Sequence, residues 1–459
     1  MRVLCFALVL ASATRALPAI AQQPAAASPT TQEQPKPAGE TRPTGLPSGL
    51  DWTFNFDAAW GTFGFMNSLY TNPKPDQPSG NLGDNWFEGS VKPTLTAAYT
   101  TSSTWQLVGK VSAVGERTYG AAPSVAGEDA SSFKAEDLSF TVKSGKAFPS
   151  LSEDALEFTI GRAPYQLGHG FLILDGAAEG GSRGGYWTNA RKAFQFASIA
   201  TLRAGMHTAQ AFYLKNDELP EASSETRLFG SNYEVRPAET TTIGATFLRF
   251  WANDSKPDRN GLDVYNVRAF TAPLRQLPAL SFEFEYAREH NGDRLDSNAW
   301  TLQAAYELAE VKWTPKLFYR YAYFQGDDPT TTRNEAWDPL MPNFYDWGTW
   351  WQGEIAGEYF VANSNLLSHQ VRLHLTPNKK TGTGLIFWDF LADQPGAVAP
   401  GVTARDVAFE IDWYTDWKLN ANFTASFVAA FANPGKLVQQ ARGRTANFGY
   451  GMVFVAYHY

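Results

Sequence analysis

The chain has 459 residues, a formal net charge of −8, 18% charged and 14% aromatic side chains, and one cysteine. Soluble domains usually carry about a quarter charged residues, yet mean hydropathy here is only −0.31. No apolar run approaches the roughly 20 residues that a spanning helix needs, so a helical membrane protein is excluded, and an acidic chain is a poor nucleic-acid binder.

Met1 to Ala21 reads as a secretory signal: Arg2 for the n-region, Val3 to Ala13 for the apolar h-region, and Ala19-Ile20-Ala21 for the cleavage site. Its removal takes Arg2 and Arg15 with it, so the formal charge moves from −8 to −10. The one cysteine, Cys5, goes too, which leaves neither disulfide nor thiolate metal site. Gln22 to Leu50 is rich in Pro, Ala, Thr and Gln without apolar periodicity, the composition of an extended or disordered linker. It reads as a periplasmic tail, or more sharply as a tether to cell wall or an export partner.

From Asp51 onward, apolar and aromatic residues fall on every second position. Trp52, Phe54, Phe56, Ala58 and Trp60 share one parity, and Thr53, Asn55 and Asp57 the other. The pattern recurs at Trp105–Ala113, Leu280–Tyr286, Trp300–Tyr306, Leu317–Tyr323, Val407–Trp413 and Phe423–Phe431, and ends at Val453, Val455, Tyr457 and the terminal Tyr459. A soluble sandwich also alternates. Here, however, the polar parity carries full charges repeatedly and aromatics gather near strand ends, as in a transmembrane β-barrel with a wet lumen and interfacial girdles.

Short connections near Thr101, Ser144–Lys146, Ala204, Pro237–Glu239, Arg275–Leu277, Ala309, Pro377–Lys379 and Lys418–Asn420 alternate with longer segments at 66–85, 119–132, 163–192, 217–228, 252–261, 290–296, 326–366, 392–404 and 433–445. This predicts an all-β, antiparallel barrel of about 18 strands over 51–459, with both termini periplasmic and the long loops outside. A barrel of that size holds an aqueous channel unless loops fill it. Pro93 and Pro315 each predict a bulge or strand end.

Parity also assigns the lumen. Its basic residues are Lys92, Lys110, Arg236, Arg268, Lys312, Lys316, Arg320 and Arg372. Its acids include Asp57, Glu88, Glu157, Glu234, Glu283, Glu285, Asp406, Glu410 and Asp412. Such charges either pair across strands or form a constriction that replaces part of an ion's hydration. Arg suits carboxylate-bearing solutes through its bidentate fork, but the mixed inventory does not choose the permeant's sign. Segment 163–192 carries seven glycines (168, 170, 176, 180, 181, 184 and 185) without the G-K-[ST] of a phosphate loop, which suits tight packing inside a barrel. Segment 326–366 is aromatic, and Trp337, Tyr345, Trp347 and Trp350 are candidate sugar contacts, against roles as interface anchors or loop core.

Three stretches resemble the alginate-export family of outer-membrane porins: F-T-I-G-R-A-P-Y-Q-L-G-H-G-F-L-I (158–173), E-A-W-D-P-L-M-P (335–342), and the C-terminal third with A-F-E-I-D-W-Y (408–414) and A-N-P-G (432–435). The resemblance implies an 18-stranded monomeric barrel that passively exports an acidic exopolysaccharide through an arginine-bearing pore. Carried over, Arg162, Arg268, Arg320 and Arg372 become pore residues. Lys110, Lys316, Glu283, Glu285, Glu410 and Asp412 join them from parity. Arg162 departs from the pattern, because it shares a face with the lipid-directed Leu156, Phe158 and Ile160. Either Gly161 bulges and re-aims it, or it lies past the membrane edge.

The expected partners are outer-membrane lipid and lipopolysaccharide, the barrel-assembly machinery, the permeating saccharide or solute, and a periplasmic export partner; no cofactor is expected. Uptake of small organic solutes is the runner-up, and a surface receptor or adhesin presenting 163–192 and 326–366 is a further reading. The six histidines (169, 207, 290, 369, 374 and 458) are scattered and form no catalytic or metal-binding spacing, so an enzyme is not expected.

Overall fold

The computed structural model describes residues 49–69, 83–101, 104–120, 129–272, 279–341, 352–360 and 363–459. The signal, most of the linker, and Tyr345, Trp347 and Trp350 lie outside these residues.

Eighteen strands run in chain order. The first six are β1 Leu50–Met66, β2 Asp84–Thr100, β3 Gln106–Gly120, β4 Ala130–Lys143, β5 Leu156–Arg162 and β6 Phe196–Ala204. Next come β7 His207–Lys215, β8 Arg227–Ala238, β9 Thr241–Trp251, β10 Asp263–Thr271, β11 Leu280–Asn291 and β12 Leu295–Glu307. The last are β13 Lys316–Phe324, β14 Leu366–Asn378, β15 Thr381–Ala392, β16 Asp406–Lys418, β17 Phe423–Pro434 and β18 Phe448–His458. Each pairs antiparallel with its chain neighbours, and β1 also pairs with β18 from Asp57↔His458 to Met66↔Gly449, which closes the barrel. Closure gives every strand two partners and leaves no edge, the condition for a sheet in lipid.

Alternation sets which face each residue takes. In β9, Ile243 and Ala245 point outward and exposed, while Gly244, Thr246, Leu248 and Phe250 are buried inside. Around the ring, Phe54, Leu95, Phe140, Phe158, Phe229, Phe284, Leu317 and Phe427 are exposed on the outer wall. So large an apolar surface would aggregate in water but is what a lipid-facing band requires. The core therefore lies inside the barrel, where Phe63, Trp86, Phe171, Trp187, Phe324 and Phe454 pack together.

Several connections differ from expectation. The one after β4 spans 144–155 rather than a tight turn, and the Ser144 hydroxyl and Asp154 carboxylate brace it by accepting the N–H groups of Leu156 and Gly145. The one after β11 is only residues 292–294, although 290–296 was expected to be long. Pro93 stays within β2 and costs its pairing to β3, which lapses between Val91↔Gly115 and Thr94↔Ser112. Pro315 immediately precedes β13. Lys312, expected in the lumen, lies in the connection before β13 and rests over the ring of the exposed Trp313.

Candidate functional site: a lumen crossed by two inward loops

The connection after β5, loop A (163–195), folds into the barrel. Its entry depends on Gly161, whose φ of +118° belongs to glycine and whose side, if it bore a Cβ, would lie 2.2 Å from the Leu138 carbonyl. The pairing to β4 runs on without a shift, so it is this backbone turn rather than a bulge that accompanies the inward aim of Arg162, whose guanidinium donates to the Glu136 carbonyl at 3.1 Å and the Asp217 carboxylate at 2.7 Å.

Loop A first reaches across the lumen. Tyr165 lies against Phe212 at 4.4 Å and donates to Gln210. His169 stacks on Phe270 at 3.8 Å and bonds the Glu283 carboxylate at 3.3 Å. Phe171 packs on Phe324 and Trp337. The loop then returns to the opposite wall, where Trp187 stacks on Phe63 and meets Phe454. Since β2 and β11 lie on opposite sides of the strand ring, loop A spans the barrel's width.

Wall carboxylates hold it there. Glu88 accepts the N–H groups of Trp187 and Thr188 at 2.6 and 3.0 Å, and the Trp86 indole N–H as well. Glu136 accepts those of Lys192 and Ala193 at 2.5 and 2.6 Å. Glu116 accepts the Ala190 N–H, and Gly185 leaves room for that carboxylate: a Cβ there would sit 2.5 Å from it. Asp217, in the connection after β7, gathers Arg162, Arg183 and Arg191. Burial opposes its ionisation, but the Arg162 hydrogen bond and the charges of Arg183 and Arg191 prevail and hold its carboxyl below the usual range.

The first described part of loop B (325–365), residues 325–341, lies beside loop A. The Leu174 N–H donates to the Met341 carbonyl at 3.0 Å, and the Met341 N–H returns to Leu172 at 3.3 Å. Glu289 accepts the Asp338 N–H, while Arg259 grips the Asp338 carboxylate with two nitrogens. Burial opposes ionisation there too, but Arg259 outweighs it and the Asp338 pKa falls to about 2. On the far wall, Glu410 accepts the N–H groups of Ile355 and Ala356 at 2.7 and 2.6 Å.

These contacts sort the expected lumen residues. Glu285, Glu410, Asp412, Arg268 and Arg320 take the lumen face but are buried rather than lining open water. Arg268 is enclosed by Glu234, Asn232, Thr246 and Asn266. Arg320 donates twice to Gln303, Glu285 accepts from Asn266, and Asp412 accepts from Trp388. Trp337 is corrected from an exposed sugar contact to a buried packing residue, 3% exposed.

The solvent-accessible charges differ. Lys92 and Lys110 share Asp137 at 3.3 and 3.1 Å, two cations to one carboxylate. Lys316 reaches Glu307 only at 4.0 Å and lies over the Phe318 ring. The half-buried Arg372 lies over Phe318 and Tyr414, donates to the Tyr414 hydroxyl at 3.0 Å, and forms no ion pair among the described residues. Glu283 pairs with His169. Among the described residues, no group of three or more His, Cys, Asp or Glu side chains could hold a metal ion.

Sequence reasoning missed Glu116, Glu136, Asp137, Asp217, Glu289 and Tyr414. The Glu136-Asp137 pair carried a faint signal, since adjacent acids in one strand imply a bulge if both are to face inward, and the β3–β4 register shifts opposite them, between Val111 and Ala113.

A profile of the family described as alginate export matches residues 145–451, more than half of the chain. The chain belongs to the alginate-export family. It is an outer-membrane β-barrel channel, with the family and fold of non-enzymatic porins. No curated protein matches it. Solved structures share its fold at low identity, among them three from Pseudomonas aeruginosa. OccK2 (OpdF) has a TM-score of 0.55 at 12% identity, covering 89% of this chain and 97% of that one. OccK7 (OpdD) has 0.54 at 11%, covering 90% and 99%. OpdK, solved with vanillate, has 0.53 at 11%, covering 88% and 98%.

Proposed function

We propose that this alginate-export family channel passes acidic saccharides, with its long loops outside and both termini periplasmic. One observation carries the reading. The buried wall glutamates Glu88, Glu136 and Glu410 are occupied in holding loops A and B, whereas Lys92, Lys110, Lys316 and Arg372 stay accessible and are only partly matched by carboxylates. Accessible cations favour entry of anions. Arg372 suits a uronate carboxylate, and the half-buried Phe318 ring beside it suits a sugar ring, with Tyr414 buried behind the guanidinium.

The crossing of the lumen by loop A favours a second reading, a channel for small organic acids. OpdK, a structural neighbour, was solved with such a molecule, vanillate. Liposome swelling separates the two: entry of oligouronates supports the saccharide reading, and entry of monouronate and aromatic acids with exclusion of oligouronates overturns it in favour of the second.

A further inference from the structure

The outer wall of β8–β11 changes character at the long-loop end. Below, its outward residues are Phe229, Phe247, Tyr265 and Phe284. Beyond them, on the same parity, come Arg227, Arg249 and Arg288. The register seats Phe229 opposite Arg249 and Tyr265 opposite Arg288, so aromatic rings and guanidinium groups interleave along one slanted band. Strands of this length just cross the roughly 25 Å apolar zone, which places that band at headgroup level.

The cations there outnumber the carboxylates. Arg249 holds Asp263 with both oxygens at 3.0 Å, and Arg288 and Arg333 share Asp296. Arg227 and its cross-strand neighbour Lys215 form no ion pair among the described residues. On the strands themselves Lys215, Arg227, Arg249 and Arg288 stand against Asp263 and Asp296, so the outward face carries a cationic excess. The sector is local, for at the same end β15 and the start of β16 present Asp389 and Asp406, in a chain whose net charge is −8.

We infer that this band is a docking surface for phosphate-bearing lipid headgroups, with Arg227, Arg249 and Arg288 as the phosphate contacts. Guanidinium forks match phosphate oxygens in pairs. A free phosphate would meet exposed, salt-screened charges, whereas a headgroup is presented to them by acyl chains lying on the apolar wall below. With the long loops outside, as proposed above, the headgroup is lipopolysaccharide. The inference rests on that orientation only for which leaflet supplies the lipid, and not on the permeant.

The test uses the purified full chain in neutral detergent, with lipopolysaccharide, its enzymatically dephosphorylated form, and inorganic phosphate as probes, read by native mass spectrometry. A triple variant R227Q/R249Q/R288Q is compared with R117Q/R405Q/K436Q, which removes the same charge elsewhere. Circular dichroism melts confirm that both fold. The expected result is binding of phosphorylated lipopolysaccharide that falls roughly a hundredfold in the first variant, at about fivefold per lost cation, and is unchanged in the second. Equal binding by both variants, equal binding of the dephosphorylated lipid, or competition by millimolar phosphate would overturn it. Conductance of the triple variant in bilayers reports separately on the channel.

Discussion

The carboxylate of Glu88 on β2 accepts the backbone N–H of Trp187 at 2.6 Å, joining the barrel wall to a loop ninety-nine residues later in the chain. The same device recurs at Glu136 and Glu410. Charged acceptors bind peptide N–H groups more strongly than neutral ones, and an N–H stranded inside the barrel costs about 1–3 kcal/mol.

Replacing an anchor should free the loop. Glu136→Ala strands the N–H groups of Lys192 and Ala193, so about 2–5 kcal/mol of loop anchoring is lost. Mean single-channel conductance should rise and become noisier. Glu136→Gln keeps an acceptor and should show less than half the effect. Unchanged conductance in Glu136→Ala would mean that loop A does not limit flow.

Acid should loosen loop B. A carboxyl whose pKa is lowered on folding stabilises the fold above its unfolded value, near 4, and that contribution is lost as pH falls through the folded value. For Asp338, paired with Arg259, the window runs from about 4 down to about 2. Thermal melts in detergent should decline across this window. Asp338→Asn should melt lower near neutrality, with a shallower decline in acid.

Arg372 and Arg268 should behave oppositely. Arg372→Gln removes an accessible cation, so it should shift reversal potential towards cations with little change in melting temperature. Arg268→Gln removes a buried guanidinium, leaves Glu234 only its looser pair with Arg236 at 3.6 Å, and should cost about 3 kcal/mol of stability. Paired bilayer and melting measurements on the two variants check the contrast.

Gly161→Val should fail at this turn, because a Cβ there meets the Leu138 carbonyl at 2.2 Å and the backbone φ is positive. Arg162 would return to the lipid-facing parity and lose Asp217. The yield of heat-resistant folded barrel should drop sharply, and Gly161→Ala should fall in between.

The barrel was legible because parity is strictly local: Trp60 and Phe54 announce a lipid face from their spacing alone. Pro315 marked a strand start, and the glycines at 180, 181, 184 and 185 correctly suggested close packing within loop A. What parity could not reveal is which side chain stands over another. Glu410 and Arg372 occupy the same face by sequence, yet one is sealed beneath residues 353–356 and the other stays half-exposed over the Phe318 ring. That difference depends on loops anchored far from their own strands. Trp337 was misread for the same reason, since its partner, Phe171, arrives from another loop. Arg162 needed the positive φ of Gly161, of which the sequence offered only the glycine itself.

The central claim, that accessible lumen cations select for anions, is most directly tested by the reversal potential of single channels in planar bilayers under a salt gradient near neutral pH. The account predicts anion selectivity, and a shift towards cations in Lys110→Gln and Arg372→Gln. Cation selectivity in the unaltered protein, unmoved by either substitution, would contradict it.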